Sequence, residues 1–362
     1  MTPLHRAAIL TLLGLFAVSG EGCGPSAQSK SQIVAPSGGV LLRGAGATFP
    51  EPLYKRWFTE YGLLHTDVVV VYDAVGSGLG VKRFIGKDAD LTEADAVEFA
   101  GSDAAMTDAE IAQVDRGALL VPATAGAVVL AYNIPGFKGD LKLSREAYSG
   151  IFLGTITQWN DPKIAATNPD ANLPEITIAV VARQDASGTT YALTNNLSAV
   201  NPQWRDRFGA TTLVDCPGDT MRTSGNDGVA GRIKQSVGSI GYVHYGFAQR
   251  LGLKMALLEN KAGHFIAPTS ESAMATIASA QLPKNLRLFF PDPDGEQSYP
   301  IVTFSWILLY KEYADPHKAA AVKELLKWCL TDGQQSSAEL GYIRLAPNVV
   351  TAAVKAVDSV KP

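Results

Sequence analysis

A short junction between an apolar strand and a helix constrains the fold of this chain more than any other stretch. The apolar run from Ile176 to Val181 predicts a buried strand, and Tyr191 begins the apolar pattern of a helix. Ser187, Gly188 and Thr189 therefore lie where that helix starts. Free backbone N–H groups, two hydroxyls and a glycine that allows close approach make such a helix start suitable for an anion.

Two charged residues belong to the same junction. Arg183 ends the strand and offers a planar fork of donors that suits an oxyanion. Asp185 either holds that guanidinium in place or caps the helix. Taken alone, the stretch is more typical of an ordinary strand–helix turn with an exposed arginine, so a functional interpretation depends on the rest of the chain.

The pattern of strand, glycine-containing turn and helix occurs three more times before this junction. The strands are followed by the turns Gly44–Pro50, Gly76–Gly80 and Gly101–Asp103. These turns carry Thr48, Phe49, Ser77 and Asp103. Phe49 stands where a dinucleotide-binding fingerprint needs its third glycine, and Ser77 directly follows a glycine, which excludes a nucleophile elbow. Alternating strands and helices predict an α/β fold, whose ligands bind at the carboxyl ends of strands.

Two long apolar strands, around Val128 and over Ile301–Tyr310, bracket the middle third of the chain. We expect them to be crossings between two lobes. The predicted organisation is lobe I over residues 40–133 plus 298–362 and lobe II over residues 134–297. Asp315 and Pro316 predict the start of a last helix, which ends at Gly333.

Composition limits the kind of protein. With 362 residues, 18% charged and 46% hydrophobic, the chain is globular and long enough for about two domains. The formal net charge is −4 and no run of Lys or Arg occurs, which argues against non-specific nucleic-acid binding. An anion site must therefore be local and cannot depend on a global field.

The N-terminus predicts export. Residues 1–22 are predicted to be a signal peptide. Arg6 precedes the apolar run Ala7–Val18, which has the length of a signal-peptide core and is too short to span a bilayer. Ala17–Ser19 fits cleavage by the ordinary signal peptidase, whereas Cys23 follows an imperfect lipoprotein site and would then be a lipid anchor. Residues 23–39, rich in Ser, Gly, Pro and Gln, predict a flexible tether. Both routes place the protein in the periplasm or at the cell-envelope surface.

Cysteine and histidine use predicts no metal site. Cys216 and Cys329 are compatible with a disulfide, since the protein is exported, or with two separately buried thiols. The five histidines are scattered without metal-ligand spacing. No cofactor is expected.

The turns together offer mainly donors: backbone N–H groups, hydroxyls and one guanidinium. No histidine lies near them in sequence, and Asp103 is their one unpaired carboxylate, so no nucleophile–base pair is evident. Such a set binds an oxyanion without changing it, and the chain is not expected to be an enzyme.

From Leu42 to about Val350 the chain resembles the extracytoplasmic phosphate-binding proteins of ABC-type phosphate importers. Five segments match blocks of that family in the same order: Gly44–Pro50, Gly76–Ser77, Gly101–Asp103, Arg183–Thr189 and Gly225–Gly228. The resemblance implies a two-lobed periplasmic-binding-protein type II fold. Each lobe would be a mixed sheet flanked by helices, and two hinge strands would join the lobes.

The resemblance also implies a ligand set and partners. Phosphate would be bound from the first lobe by Thr48, Phe49, Ser77 and Asp103, and from the second by Arg183, Ser187, Gly188 and Thr189. Phe49 would act through its backbone N–H, and Asp185 would hold Arg183. The partners would be inorganic phosphate, the permease subunits of the importer and, through them, its ATPase. The chain is expected to be a monomer.

Two other classes of protein fit parts of the pattern. An exported phosphate-ester hydrolase would use the same cleft, and a surface adhesin or scaffold would use the fold without ligand-induced closure. Fold alone does not decide among them, because unrelated functions share folds.

Overall fold

The computed structural model describes residues 33–218, 220–278 and 281–362. The predicted signal peptide, Cys23 and most of the predicted tether lie outside them. The strands are β1 (Val40–Gly46), β2 (Val68–Asp73), β3 (Phe99–Ser102), β4 (Ala118–Asn133), β5 (Lys142–Leu143), β6 (Ala179–Arg183), β7 (Thr220–Thr223), β8 (Ser239–His244), β9 (Lys254–Met255), β10 (Leu257–Glu259), β11 (Phe265–Ile266) and β12 (Val302–Tyr310).

The α-helices alternate with these strands over most of the chain. They are α1 (Glu51–Leu64), α2 (Ser77–Ile85), α3 (Asp108–Ile111), α4 (Arg145–Leu153), α5 (Pro162–Ala165), α6 (Gly188–Val200), α7 (Pro202–Arg207), α8 (Gly225–Gln235), α9 (Tyr245–Arg250), α10 (Ser270–Ala278), α11 (Pro316–Leu330) and α12 (Pro347–Asp358). Short 3-10 turns cover Glu93–Asp95, Asp332–Ser336 and Ala338–Leu340. No helix within the described ranges is long and apolar enough to cross a bilayer.

The main sheet has the strand order β2-β1-β3-β12-β4-β8-β6-β7, with β9 also paired to β4. In the first lobe, β1 runs parallel to β2 and β3, and β12 runs antiparallel to β3. In the second lobe, β6 runs parallel to β7 and β8. A separate small sheet joins β11, β10 and β5.

Strand β4 belongs to both lobes. Its residues Ala118–Ala127 pair with β12, and Val128–Asn133 pair with β8. The N–H of Val128 donates to the oxygen of Ile301, just before β12, at 2.9 Å. The chain therefore passes between the lobes at two adjacent points, and these lie in the two long apolar strands that the sequence indicates. The lobe limits of 40–133 plus 298–362 and 134–297 stay a prediction.

Burial follows the apolar patterns. On α1, Leu53, Trp57 and Tyr61 are buried on one face, as their spacing predicts. Residues 120–132 of β4 and all of β12 are buried, which explains why they read as near-continuous apolar runs and do not alternate with polar residues.

Several predicted boundaries are wrong. Strand β6 begins at Ala179, because the residues just before it pair with another segment: the backbone oxygen of Ile176 accepts from the N–H of Trp159 at 3.1 Å, and Thr177 forms an isolated bridge with Gln158. The run Ala96–Ala100 predicts a strand, but β3 covers Phe99–Ser102, and a 3-10 turn ends at Asp95. The helix that starts at Pro316 ends at Leu330 and is not the last: α12 follows, and Gly333 lies in a 3-10 turn.

The structure decides the question left open for the two cysteines. Cys216 and Cys329 are both free and both buried. Burial raises the pKa of the Cys216 thiol to about 12, so this side chain behaves as a small apolar group.

Candidate functional site

The strand–helix junctions of the two lobes meet, and hydrogen bonds connect them. The most direct link runs through Ser77, the first residue of α2. Its Oγ accepts hydrogen bonds from the N–H of Gly188, which begins α6, at 3.0 Å and from the N–H of Asp103 at 3.3 Å. A Cβ at Gly188 would lie 2.6 Å from the Cβ of Asp103, so only glycine allows this approach.

Thr48 and Phe49 lie in the turn between β1 and α1. Thr48 is buried, and its Oγ1 accepts from the backbone N–H (3.1 Å) and the side-chain amide (2.9 Å) of Asn226. The ring of Phe49 is fully buried against His244, with the ring centroids 4.3 Å apart. The Tyr342 hydroxyl donates to the backbone oxygen of Phe49 at 2.6 Å. The Phe49 ring therefore has a packing role in the protein interior.

Arg183 ends β6, where the sequence predicts it, but it is not exposed: 2% of the residue is accessible. Its Nε donates to Oδ1 of Asp185 at 2.7 Å, and its Nη2 donates to Oδ2 of the same carboxylate. Asp185 therefore holds the guanidinium. The cap of α6 is Ser187, whose Oγ accepts from the N–H of Thr190 at 3.2 Å.

Asp103 follows β3 and is 1% accessible. Burial raises the pKa of its carboxyl to about 7, while a hydrogen bond from Ser305 and the charge of Arg183 both act to lower it. The Ser305 hydroxyl donates to Oδ1 at 2.7 Å. Asp103 is not the cap of α3, since Thr107 caps that helix together with Glu110, as its capping-box motif predicts.

Two residues at this site were not predicted from the sequence. Asn226 donates through Nδ2 to Thr48 in the first lobe and to Thr189 Oγ1 in the second (3.2 Å). Its position inside the block Gly225–Gly228 was a usable signal. Ser305 reaches Asp103 from β12, and its signal was weaker: a hydroxyl in an otherwise apolar strand.

The chemistry of this arrangement is that of anion binding. The starts of α2 and α6 and one buried guanidinium supply positive potential and donors. Among the described histidines, His244 packs against a site residue: its ring is buried between Phe49 and Tyr342, and burial lowers its pKa to about 3. Its Nδ1 accepts from the N–H of Gly246 at 3.2 Å, and within the described residues the ring makes no hydrogen bond to the site hydroxyls.

Fold and site together are those of a two-lobed substrate-binding protein, with a candidate anion site buried at the strand–helix junctions. Residues 26–332 match the PBP superfamily domain. The phosphate-binding protein PstS of Pasteurella multocida is 38% identical over 312 residues, covering 85% of this chain and 87% of that protein. The PstS of Xylella fastidiosa (strain Temecula1) is 33% identical over 362 residues, covering 96% of each. The chain therefore belongs to the PBP superfamily and, within it, to the family of PstS phosphate-binding proteins.

Solved structures agree on the fold. A phosphate-binding protein from Stenotrophomonas maltophilia superposes with a TM-score of 0.72 at 20% identity, covering 87% of this chain and 93% of that one. The high-affinity periplasmic phosphate-binding protein PfluDING superposes with a TM-score of 0.72 at 21% identity, covering 86% of this chain and 92% of that one. The predicted family and the predicted type II fold are confirmed.

Proposed function

We propose that this chain binds inorganic phosphate in the cleft between its lobes and delivers it, unchanged, to the permease of an ABC importer. The observation that carries the proposal is that a hydrogen-bond donor and a hydrogen-bond acceptor are both buried at the cleft. Arg183 supplies a fixed fork of donors, and Asp103 supplies an acceptor. An anion that still carries a proton, as phosphate does near neutral pH, satisfies both groups.

The proposed ligand groups are those that the family resemblance indicates. They are Thr48, the backbone N–H of Phe49, Ser77, Asp103, Arg183, Ser187, Gly188 and Thr189, with Asp185 supporting Arg183. Two observations support this set. Arg183 ends β6, and Ser187, Gly188 and Thr189 follow at the start of α6. All the polar side chains among the eight proposed ligands are buried. Buried polar groups of this kind are retained where a ligand or a partner satisfies them.

Calorimetric titration of the purified protein with phosphate tests the function. We expect saturation at one phosphate per chain, because the donors converge on one place. A flat titration would contradict the proposal.

We also propose that the chain is not an enzyme. The alternative, a phosphate-ester hydrolase, needs a nucleophile and a base in the cleft. Incubation with a chromogenic phosphate ester should release no chromophore above the rate in buffer. Turnover that disappears in Arg183→Ala would instead favour the hydrolase.

We further propose that the protein is exported, acts as a monomer and works with permease and ATPase subunits. Cys23 would anchor it to the membrane by a lipid. Cell fractionation tests the anchor: Cys23→Ser should move the protein from the membrane fraction to the soluble exported fraction. A wild-type protein that is already soluble and begins at Gly20 would show ordinary secretion.

A further inference from the structure

A pair of hydroxyl residues interrupts the apolar strand β12 beside the cleft. Thr303 and Ser305 lie on the same face, because side chains alternate along a strand. Thr303 Oγ1 donates to the backbone oxygen of Asp103 at 3.2 Å, and Ser305 Oγ donates to the carboxylate Oδ1 at 2.7 Å. Ser305 is completely buried. Burying a hydroxyl costs free energy unless it is hydrogen-bonded, so this contact gives the serine a reason to be there.

The backbone aims Ser305 at Asp103. On one side of β12, Ser305 pairs with Thr124 and Trp306 with Pro122, so β4 carries an extra residue at this point. On the other side, Trp306 pairs with Ser102, the last residue of β3, which brings Ser305 level with Asp103. Bulges of this kind commonly redirect a side chain. The serine therefore meets the carboxylate from a fixed position in the sheet.

We propose that Ser305 is a specificity-determining positioning residue: by donating to Oδ1 it leaves Oδ2 as the oxygen of Asp103 that meets the anion. Within the described residues, Ser305 is the one side chain that donates a hydrogen bond to this carboxylate. While Asp103 is ionised, Oδ2 can only accept from the anion. Once Asp103 is protonated, the proton lies on Oδ2, and the same atom can donate. The inference rests on the proposed phosphate binding.

Other groups surround the same carboxylate. Three phenols face it from other elements: Tyr54 on α1, Tyr72 on β2 and Tyr342 near the C-terminus. Burial raises the pKa of each phenol, so all three stay neutral. Arg183 and Ser305 are the groups that favour the ionised form of Asp103. Loss of the Ser305 hydroxyl therefore moves the ionisation of Asp103 to higher pH.

Sulfate is the probe that isolates this effect, because it carries no proton anywhere between mildly acidic and mildly alkaline pH. We would titrate phosphate and sulfate calorimetrically into the wild type and into Ser305→Ala from mildly acidic to mildly alkaline pH. The wild type should bind sulfate only below the pH at which Asp103 ionises. In Ser305→Ala that midpoint should move to higher pH, and phosphate should bind about tenfold more weakly at alkaline pH.

Thr303→Val is the matched control, since it removes a hydroxyl from the same strand face that donates to the backbone oxygens of Asp103 and Phe304 and not to the Asp103 carboxylate. It should keep the wild-type sulfate midpoint. If Ser305→Ala does not fold, Ser305→Cys replaces it as the test. This near-isosteric change leaves only a weak donor and should shift the sulfate midpoint in the same direction.

Two results would overturn the inference: an unshifted sulfate midpoint in Ser305→Ala, or equal weakening of phosphate and sulfate at every pH. A wild type that binds no phosphate would overturn the proposed function and this inference with it. A wild type that binds phosphate while Ser305→Ala behaves as Thr303→Val would overturn the inference alone.

Discussion

Arg183 and Asp103 are the two ionisable residues among the proposed ligands, and each is buried beside a specific partner. The Arg183 guanidinium is held by Asp185, and the Asp103 carboxylate is held by Ser305. A partner of this kind limits the rotamers of a side chain, so that its remaining donors or acceptors point in known directions. At this scale, specificity arises from orientation as much as from charge.

Arg183→Lys tests the orientation of the donors. The substitution keeps the charge but replaces a planar fork by a point charge, and hydrogen bonds to charged groups are worth about 1.5–3 kcal/mol each. Phosphate affinity measured by calorimetry should fall by about tenfold or more. Arg222→Lys, on the neighbouring strand and paired with the exposed Asp215, is the control and should bind as the wild type does. Unchanged affinity in Arg183→Lys would remove this residue from the site.

Asp103→Asn tests how sulfate is rejected. An ionised carboxylate opposes the lone pairs of sulfate, whereas phosphate donates a proton to it, and such unpaired repulsion costs several kcal/mol. At slightly alkaline pH the wild type should ignore millimolar sulfate, and Asp103→Asn should bind sulfate while retaining some phosphate binding. Asp108→Asn, at an exposed carboxylate, is the control. Sulfate rejection that survives in Asp103→Asn would show that another group discriminates.

At the scale of elements, helix starts hold the lobes together. The N–H of Gly78 on α2 donates to the oxygen of Ala186 at 2.9 Å. Asn226 on α8 bridges Thr48 and Thr189 through one amide nitrogen. These contacts join groups from different lobes, so they form only when the lobes are close. We expect them to slow the release of a bound anion.

Asn226→Ala removes one of these bridges. Of the three hydrogen bonds of this side chain, to Thr48, to Thr189 and from the N–H of His244, the one to Thr48 crosses between the lobes. A neutral hydrogen bond contributes about 0.5–1.5 kcal/mol, so its loss should weaken phosphate binding by about two- to tenfold. Stopped-flow measurement should assign the change mainly to faster dissociation, because the bond from Asn226 to Thr48 joins the two lobes and exists only in the closed form.

Gln184→Ala removes an amide that bonds only to Ser224, in the same lobe, and should leave the dissociation rate unchanged. Equal rates in the two variants would argue against a bridging role.

At the scale of the whole molecule, the predicted lobes are connected by two neighbouring segments of the chain, where it passes from one lobe to the other and back. A hinge there allows the lobes to separate and to close on a ligand. Small-angle X-ray scattering should show a smaller radius of gyration with phosphate than without it, and no change with sulfate at slightly alkaline pH. An unchanged radius with saturating phosphate would favour a scaffold that does not close.

Local sequence determined the elements of this protein. The spacing of Leu53, Trp57 and Tyr61 predicts α1, and the motif at Thr107 predicts its own helix cap, because periodicity and capping act over a few residues. The junction at Arg183–Thr189 is predicted for the same reason. Boundaries such as the start of β6 were misplaced, since the pairing partners in β7 and β8 set them and lie far along the chain.

Only the tertiary structure decided which groups meet. Asn226 reaches Thr48 across 178 positions of the chain, and Ser305 reaches Asp103 across 202. No local pattern encodes such a contact, because it depends on the strand order of the whole sheet and on one bulge opposite Ser305. Burial was likewise unavailable to local sequence: taken alone, the stretch is typical of a turn with an exposed arginine, whereas in the folded structure only 2% of Arg183 is accessible.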